Sequence, residues 1–129
     1  PEEITAPVLR WFNQNPTGTE QQMAELCAQW LLVAPVIGYA RAYQVFSQND
    51  GPSDEALASL DIPVTFITGE GDNNSSGAMS KSMAALCPDG AYALIKGARH
   101  MVQMTHPEEV NPLLSEFVAQ CDAQAGREK

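Results

Sequence analysis

The chain has 129 residues, enough for one ordinary domain with its own core. Sixteen acidic side chains against seven scattered basic ones give a formal net charge of −9, which repels a phosphate backbone and excludes nucleic acid as a partner. No run approaches the roughly 18 apolar residues of a membrane span, and the start PEEITAP has neither the basic flank nor the apolar centre of a signal peptide, so no membrane partner is expected.

Residues 1–18 are punctuated by Pro1, Pro7, Pro16 and Gly18 around an apolar cluster of Val8, Leu9, Trp11 and Phe12. One helical turn between prolines is expected there, followed by a loop over 13–18. Thr19, with Gln22 three residues on, has the pattern of a capping box. Met23, Leu26, Cys27, Trp30, Leu31 and Ala34 then recur at three- and four-residue spacing, which predicts one apolar helical stripe. Pro35 ends or kinks that helix. A second stripe of Val36, Tyr39, Ala40, Tyr43 and Phe46 follows until Gln48-Asn49-Asp50-Gly51-Pro52 stops it. Two amphipathic helices with aromatic faces need something to cover, either the core or a substrate pocket.

Ser53 is suited to cap a short helix through Leu60, with Asp54 and Glu55 favourably set against its N-terminal dipole. The run 64–68, VTFIT, is β-branched and nearly continuous, as in a buried strand of a parallel sheet. A Gly- and Asn-rich loop leads to a helical pattern over 78–86, which Cys87-Pro88-Asp89-Gly90 breaks. A second, shorter strand is predicted over 91–95, then a long loop over 96–106 that holds both histidines, His100 and His106. Pro107 suits the first position of a last helix with Val110, Leu113, Leu114, Phe117, Val118 and Cys121 as its stripe, and from Asp122 a polar, frayed tail is expected. Cys27, Cys87 and Cys121 are an odd, widely spaced set without a C-x-x-C pair. They fit small apolar packing in a reducing, cytoplasmic compartment.

The alternation of helix and strand implies an α/β class with parallel strands flanked by helices. Two strands alone make a poor parallel sheet, which buries both faces, so neighbouring strands from outside this chain are expected. Groups that do chemistry in such sheets gather beyond the carboxyl ends of the strands. Asp72 and His100 each follow a strand by a few residues and so emerge on one rim. A carboxylate there can hold one imidazole nitrogen and leave the other free as a general base. For each residue alone, a turn or loop role is the competing reading. His106, directly before Pro107, reads as a capping residue. A metal site from Asp72, His100 and His106 is not expected, because the histidine spacing is not that of one helix face, and no cofactor motif is present.

The stretch 60–118 resembles the C-terminal part of the α/β-hydrolase fold family. The shared order is a strand introduced by Ile62-Pro63-Val64, a Gly-x-Gly-Asp turn over 69–72, a helix, a strand, Gly97-x-x-His100, then Pro107-Glu108-Glu109-Val110 opening the final helix. The resemblance implies that Asp72 is the triad acid and His100 the triad histidine, at a separation of 28 residues. It also implies that residues 1–52 are a helical cap or lid segment, 53–122 the C-terminal part of the core and 123–129 a polar tail. Trp30, Tyr39, Tyr43, Phe46 and Met101 become candidates to line an apolar substrate pocket, with Met104 nearby.

The family's nucleophile elbow, G-x-S-x-G, and its oxyanion-hole segment have no counterpart here. Ser75 and Ser76 read as turn or helix-cap residues, and Arg99 stands before the histidine where a small residue is usual. The chain begins with Pro1, which fits a processed or truncated polypeptide. The expected function is therefore the acid–base half of a serine-type hydrolase acting on a small apolar ester, lactone or similar acyl substrate, its nucleophile and oxyanion hole supplied by an N-terminal part, continuous or a separate chain. Dehalogenase, C–C hydrolase or cofactor-free oxygenase chemistry, or a non-catalytic binding module, are alternatives on the same fold.

Overall fold

The computed structural model describes residues 2–126. Helix α1, Glu2–Trp11, is ten residues long where the sequence predicts one turn, and Pro7 lies inside it. Proline there removes one helical hydrogen bond. Packing offsets the loss: Phe12, which follows the helix, is 1% exposed and sits with Ala24 and Cys27, ringed by Val8, Trp11, Met23, Met101 and Met104.

Helix α2, Gly18–Val33, starts two residues earlier than predicted, with Thr17 rather than Thr19 at its N-cap and no side-chain cap. The Thr19–Gln22 capping box is not formed. Instead the Glu20 carboxylate accepts from the backbone and side-chain amides of Asn13 at 2.9 Å, tying the end of α1 to the first turn of α2. Ala34 and Pro35 then turn the chain by 109° into α3, Val36–Gln48. Among the described residues no single helix is long and apolar enough to cross a membrane. No residue of α3 is buried, and Phe46 is 76% exposed.

Ser53 caps α4, Asp54–Ala58, as its position predicts, accepting from the Ala56 amide at 3.2 Å. The strands β1, Val64–Gly69, and β2, Gly90–Ile95, pair in parallel from Val64 opposite Gly90 to Gly69 opposite Ile95. Helix α5, Gly77–Leu86, makes the crossover between them and packs on both. A buried hydrogen bond between the Thr68 and Ser80 hydroxyls fastens α5 to β1.

Within the predicted loop over 96–106 the chain makes one helical turn, α6, Val102–Thr105. It packs against α2 and, through Val102, joins a core of Ile95, Ala98 and Val110 with Ile67 and Leu113 against it. Helix α7, Pro107–Ala125, begins at the predicted proline but runs past Asp122. Gln124 explains the extension, since its amide donates to the Asp89 carboxylate at 3.2 Å and holds the last turn beside the α5–β2 connection.

Candidate active site

Parallel pairing brings the carboxyl ends of β1 and β2 to one rim, and backbone contacts then bind the two following loops together. The Glu70 amide donates to the Ile95 carbonyl at 2.9 Å, and the Gly71 amide to the Ala98 carbonyl at 2.8 Å. Gly97, at φ +73°, donates to the Glu70 carboxylate at 3.1 Å. Gly69 marks the closest approach: a Cβ there would lie 2.3 Å from the Arg99 carbonyl oxygen, so only glycine ends this strand without displacing the loop.

These contacts set Asp72 beside His100. The Asp72 side chain is 5% exposed and the His100 side chain 32%. Oδ1 of Asp72 accepts from the Asn74 and Ser75 amides at 2.8 and 3.0 Å, and Oδ2 meets His100 Nδ1 at 2.9 Å. Burial alone would raise the pKa of the carboxyl. The bond to His100, the two backbone amides and the attraction of the imidazole outweigh it and hold the group below the ordinary carboxylate value. An ionised carboxylate can only accept, so Nδ1 carries the proton and Nε2 is the basic nitrogen.

Trp11 at the end of α1 stacks on the His100 ring, with centroids 6.2 Å apart and planes 30° apart. The two rings share a cavity of about 360 Å³ with Arg10, Tyr43, Phe46, Asn74 and Ser75. Of the five pocket residues expected from the sequence, Tyr43 and Phe46 stand on this wall. Tyr39 packs on Tyr43 with ring centroids 4.8 Å apart. Trp30 is 53% exposed, and Met101 packs against the cluster of Phe12, Ala24 and Cys27 with Met104. Sequence reasoning missed Arg10 and Trp11 as neighbours of the histidine; the apolar cluster at 8–12 was a signal for packing but not for its target.

Arg99, before the histidine, has its Nε buried without a hydrogen-bond partner among the described residues, whereas His106, Ser75, Ser76 and Cys27 have local partners. His106 Nδ1 hydrogen-bonds the Thr105 hydroxyl at 2.8 Å, and its carbonyl accepts from the Glu109 and Val110 amides at the start of α7. Ser76 caps α5 by accepting from the Met79 amide, and Ser75 serves Asp72 through its backbone. Burial raises the pKa of Cys27, whose thiol donates to the Met104 sulfur at 3.8 Å.

No family model matches the chain. A curated protein of Acinetobacter baylyi, (E)-2-((N-methylformamido)methylene)succinate hydrolase, is 32% identical over 116 residues, which is 90% of this chain and 43% of the relative. Among solved structures, a serine hydrolase involved in carbazole degradation superposes with a TM-score of 0.69 and 16% identity over 92% of this chain and 47% of its own. A carboxylesterase from Bacillus subtilis gives a TM-score of 0.53 and 16% identity over 91% of this chain and 44% of its own. The chain thus spans less than half the length of each of these three proteins.

Proposed function

We infer that this chain, which carries the C-terminal section of an α/β-hydrolase fold, supplies the acid–base half of a hydrolase active site acting on acyl compounds. The observation that carries the reading is the bond from His100 Nδ1 to a buried Asp72 carboxylate whose other oxygen is fixed by two backbone amides. An N-terminal part, continuous with this chain or separate, contributes the serine nucleophile and the oxyanion hole. In this reading residues 1–52 form the cap over the site and 53–122 the end of the core; of the expected tail over 123–129, α7 takes in the first part as far as Ala125, and 127–129 lie outside the described residues. Tyr43 and Phe46, backed by Tyr39, meet the substrate's carbon frame.

The chemistry follows from the proton positions. His100 Nε2 takes the proton of the serine hydroxyl as the serine oxygen bonds the acyl carbon. The imidazolium so formed is stabilised by the ionised Asp72, which stays ionised throughout. Nε2 then gives that proton to the leaving group as its bond to the acyl carbon breaks. In the second half, Nε2 removes a proton from water, which attacks the acyl-enzyme, and returns it to the serine oxygen. The A. baylyi relative is by name a hydrolase of a succinate derivative, which supports an acyl or amide substrate here.

Replacing His100 with Ala in the complete protein tests the assignment. Turnover of acyl substrates should fall by about 10⁴-fold or more with the fold retained. Full activity in that variant sinks it. Labelling of the complete protein by a fluorophosphonate probe tests the serine separately, and this chain alone should not react.

A further inference from the structure

The sequence suggests an apolar pocket, but the cavity beside His100 also carries a charge. Arg10 lines it next to Trp11, the residue stacked on His100, and no other cationic side chain is among its lining residues. In a molecule with a net charge of −9 the general field repels anions, and Arg10 opposes it locally beside the partly exposed His100 imidazole. A second polar group lies close by. The Tyr39 hydroxyl is buried with no hydrogen-bond partner among the described residues, and its ring packs on the cavity residue Tyr43. Burial and the neighbouring Tyr43 side chain push the phenol up to about 12 against the opposing charge of Arg10, so it keeps its proton. A buried donor without a partner is costly unless an acceptor arrives.

We propose that Arg10, assisted by the Tyr39 hydroxyl, is the subsite for a carboxylate of the substrate, so that the enzyme takes small acyl compounds bearing a second, ionised carboxyl group. The guanidinium presents a planar fork that matches a carboxylate with two parallel hydrogen bonds. Trp11, Tyr43 and Phe46 supply apolar surface for the carbons between the two ends, and a cavity of about 360 Å³ suits a compact dicarboxylic derivative. Holding the far carboxylate fixes the acyl carbon relative to Nε2 and converts binding into orientation. That last step rests on the hydrolase reading; the anion subsite itself does not.

The test is calorimetric titration of the complete protein with succinate and with its neutral analogue succinamide. Succinate should bind about 10- to 100-fold more tightly, the range expected for charge-assisted bidentate bonding. Arg10→Gln should reduce that preference to about threefold or less, and Arg10→Lys should keep part of it. Arg10 is exposed, so neither variant disturbs the core. Tyr39→Phe should weaken succinate binding by about fivefold, and an unchanged affinity removes Tyr39 from the subsite. Equal binding of the two probes, no binding of succinate, or a preference that survives Arg10→Gln overturns the proposal. Binding is read without turnover, so a protein that holds succinate through Arg10 but hydrolyses nothing refutes the hydrolase reading alone. One that hydrolyses neutral esters with no Arg10-dependent succinate preference refutes only the subsite.

Discussion

Asp72 does two jobs with two oxygens, and they can be separated experimentally. Oδ1 is spent on the Asn74 and Ser75 amides, which fixes the carboxylate plane, and Oδ2 is left for His100. In the proposed mechanism Asp72→Asn keeps the shape but presents an amide where an acceptor is needed, favouring the wrong imidazole tautomer. The kcat of the complete protein should drop by about 10⁴-fold with little change in fold; a loss under tenfold would show that the carboxylate is structural. The same group makes stability depend on acid. Its pKa is lowered in the folded state from an ordinary value of 3.8, so its contribution is complete above that value and is lost as pH falls through the lower, folded one. Urea midpoints recorded from pH 6 downward should fall more steeply below about pH 4 in the wild type than in Asp72→Asn. Gly69 is the residue on which this geometry hangs. Gly69→Ala drives a methyl into the Arg99 and Ala98 carbonyls at 2.3 and 2.6 Å, so the loop carrying His100 must retreat. The expected cost is about 1–3 kcal/mol in denaturant unfolding, accompanied by loss of the His100 Nδ1–H signal in NMR.

At the scale of elements, the end of α1 is held to the loops beyond β2 by Phe12, with Val8 and Trp11 in the same cluster. Phe12 is fully enclosed between α2 and the methionines of the loop that follows His100. Phe12→Ala should cost about 3–5 kcal/mol and release Trp11 from the His100 ring, which near-ultraviolet circular dichroism would register as lost tryptophan ellipticity. Retained ellipticity would mean that α1 is anchored elsewhere. This connection also marks where sequence reading stops. The strands, the α5 crossover, the Ser53 cap and the Pro107 start are written in residues within a few positions of one another. Asp72 and His100 are legible for the same reason: each follows a strand directly, and parallel pairing needs no further information to bring them to one rim. Trp11 meets His100, and Cys27 meets Met104 across 77 residues, by packing between elements whose local patterns say only that they have an apolar side. Arg10 was hidden likewise, since a cation at the end of a helix reads as solvated until its neighbours are known. The capping box at Thr19 failed because a longer-range bond, Asn13 to Glu20, was available to the same turn.

For the whole molecule the governing fact is a two-stranded parallel sheet with large apolar side chains at the surface. Among the described residues each strand is hydrogen-bonded on one side only. Ile62, Tyr92 and Leu94 are 56, 45 and 47% exposed on and beside the sheet, and Leu114 and Val118 are 47 and 58% exposed on α7. A parallel sheet ordinarily has both faces covered, and unpaired apolar strands seek other strands. The proposed N-terminal part would satisfy both needs by adding strands and covering the same faces that complete the active site. Folding and catalysis should then depend on one interface. This chain expressed alone should bind the dye ANS strongly, and its β1 and β2 amides should exchange within minutes. In the complete protein the same amides should be protected by about 10³-fold or more, dye binding should disappear, and hydrolysis should appear together with protection as the two parts are titrated against each other. Strong protection of both strands in the isolated chain, with no dye binding, would show that its core is sufficient, and the missing strands would then have to be sought in a second copy of this chain.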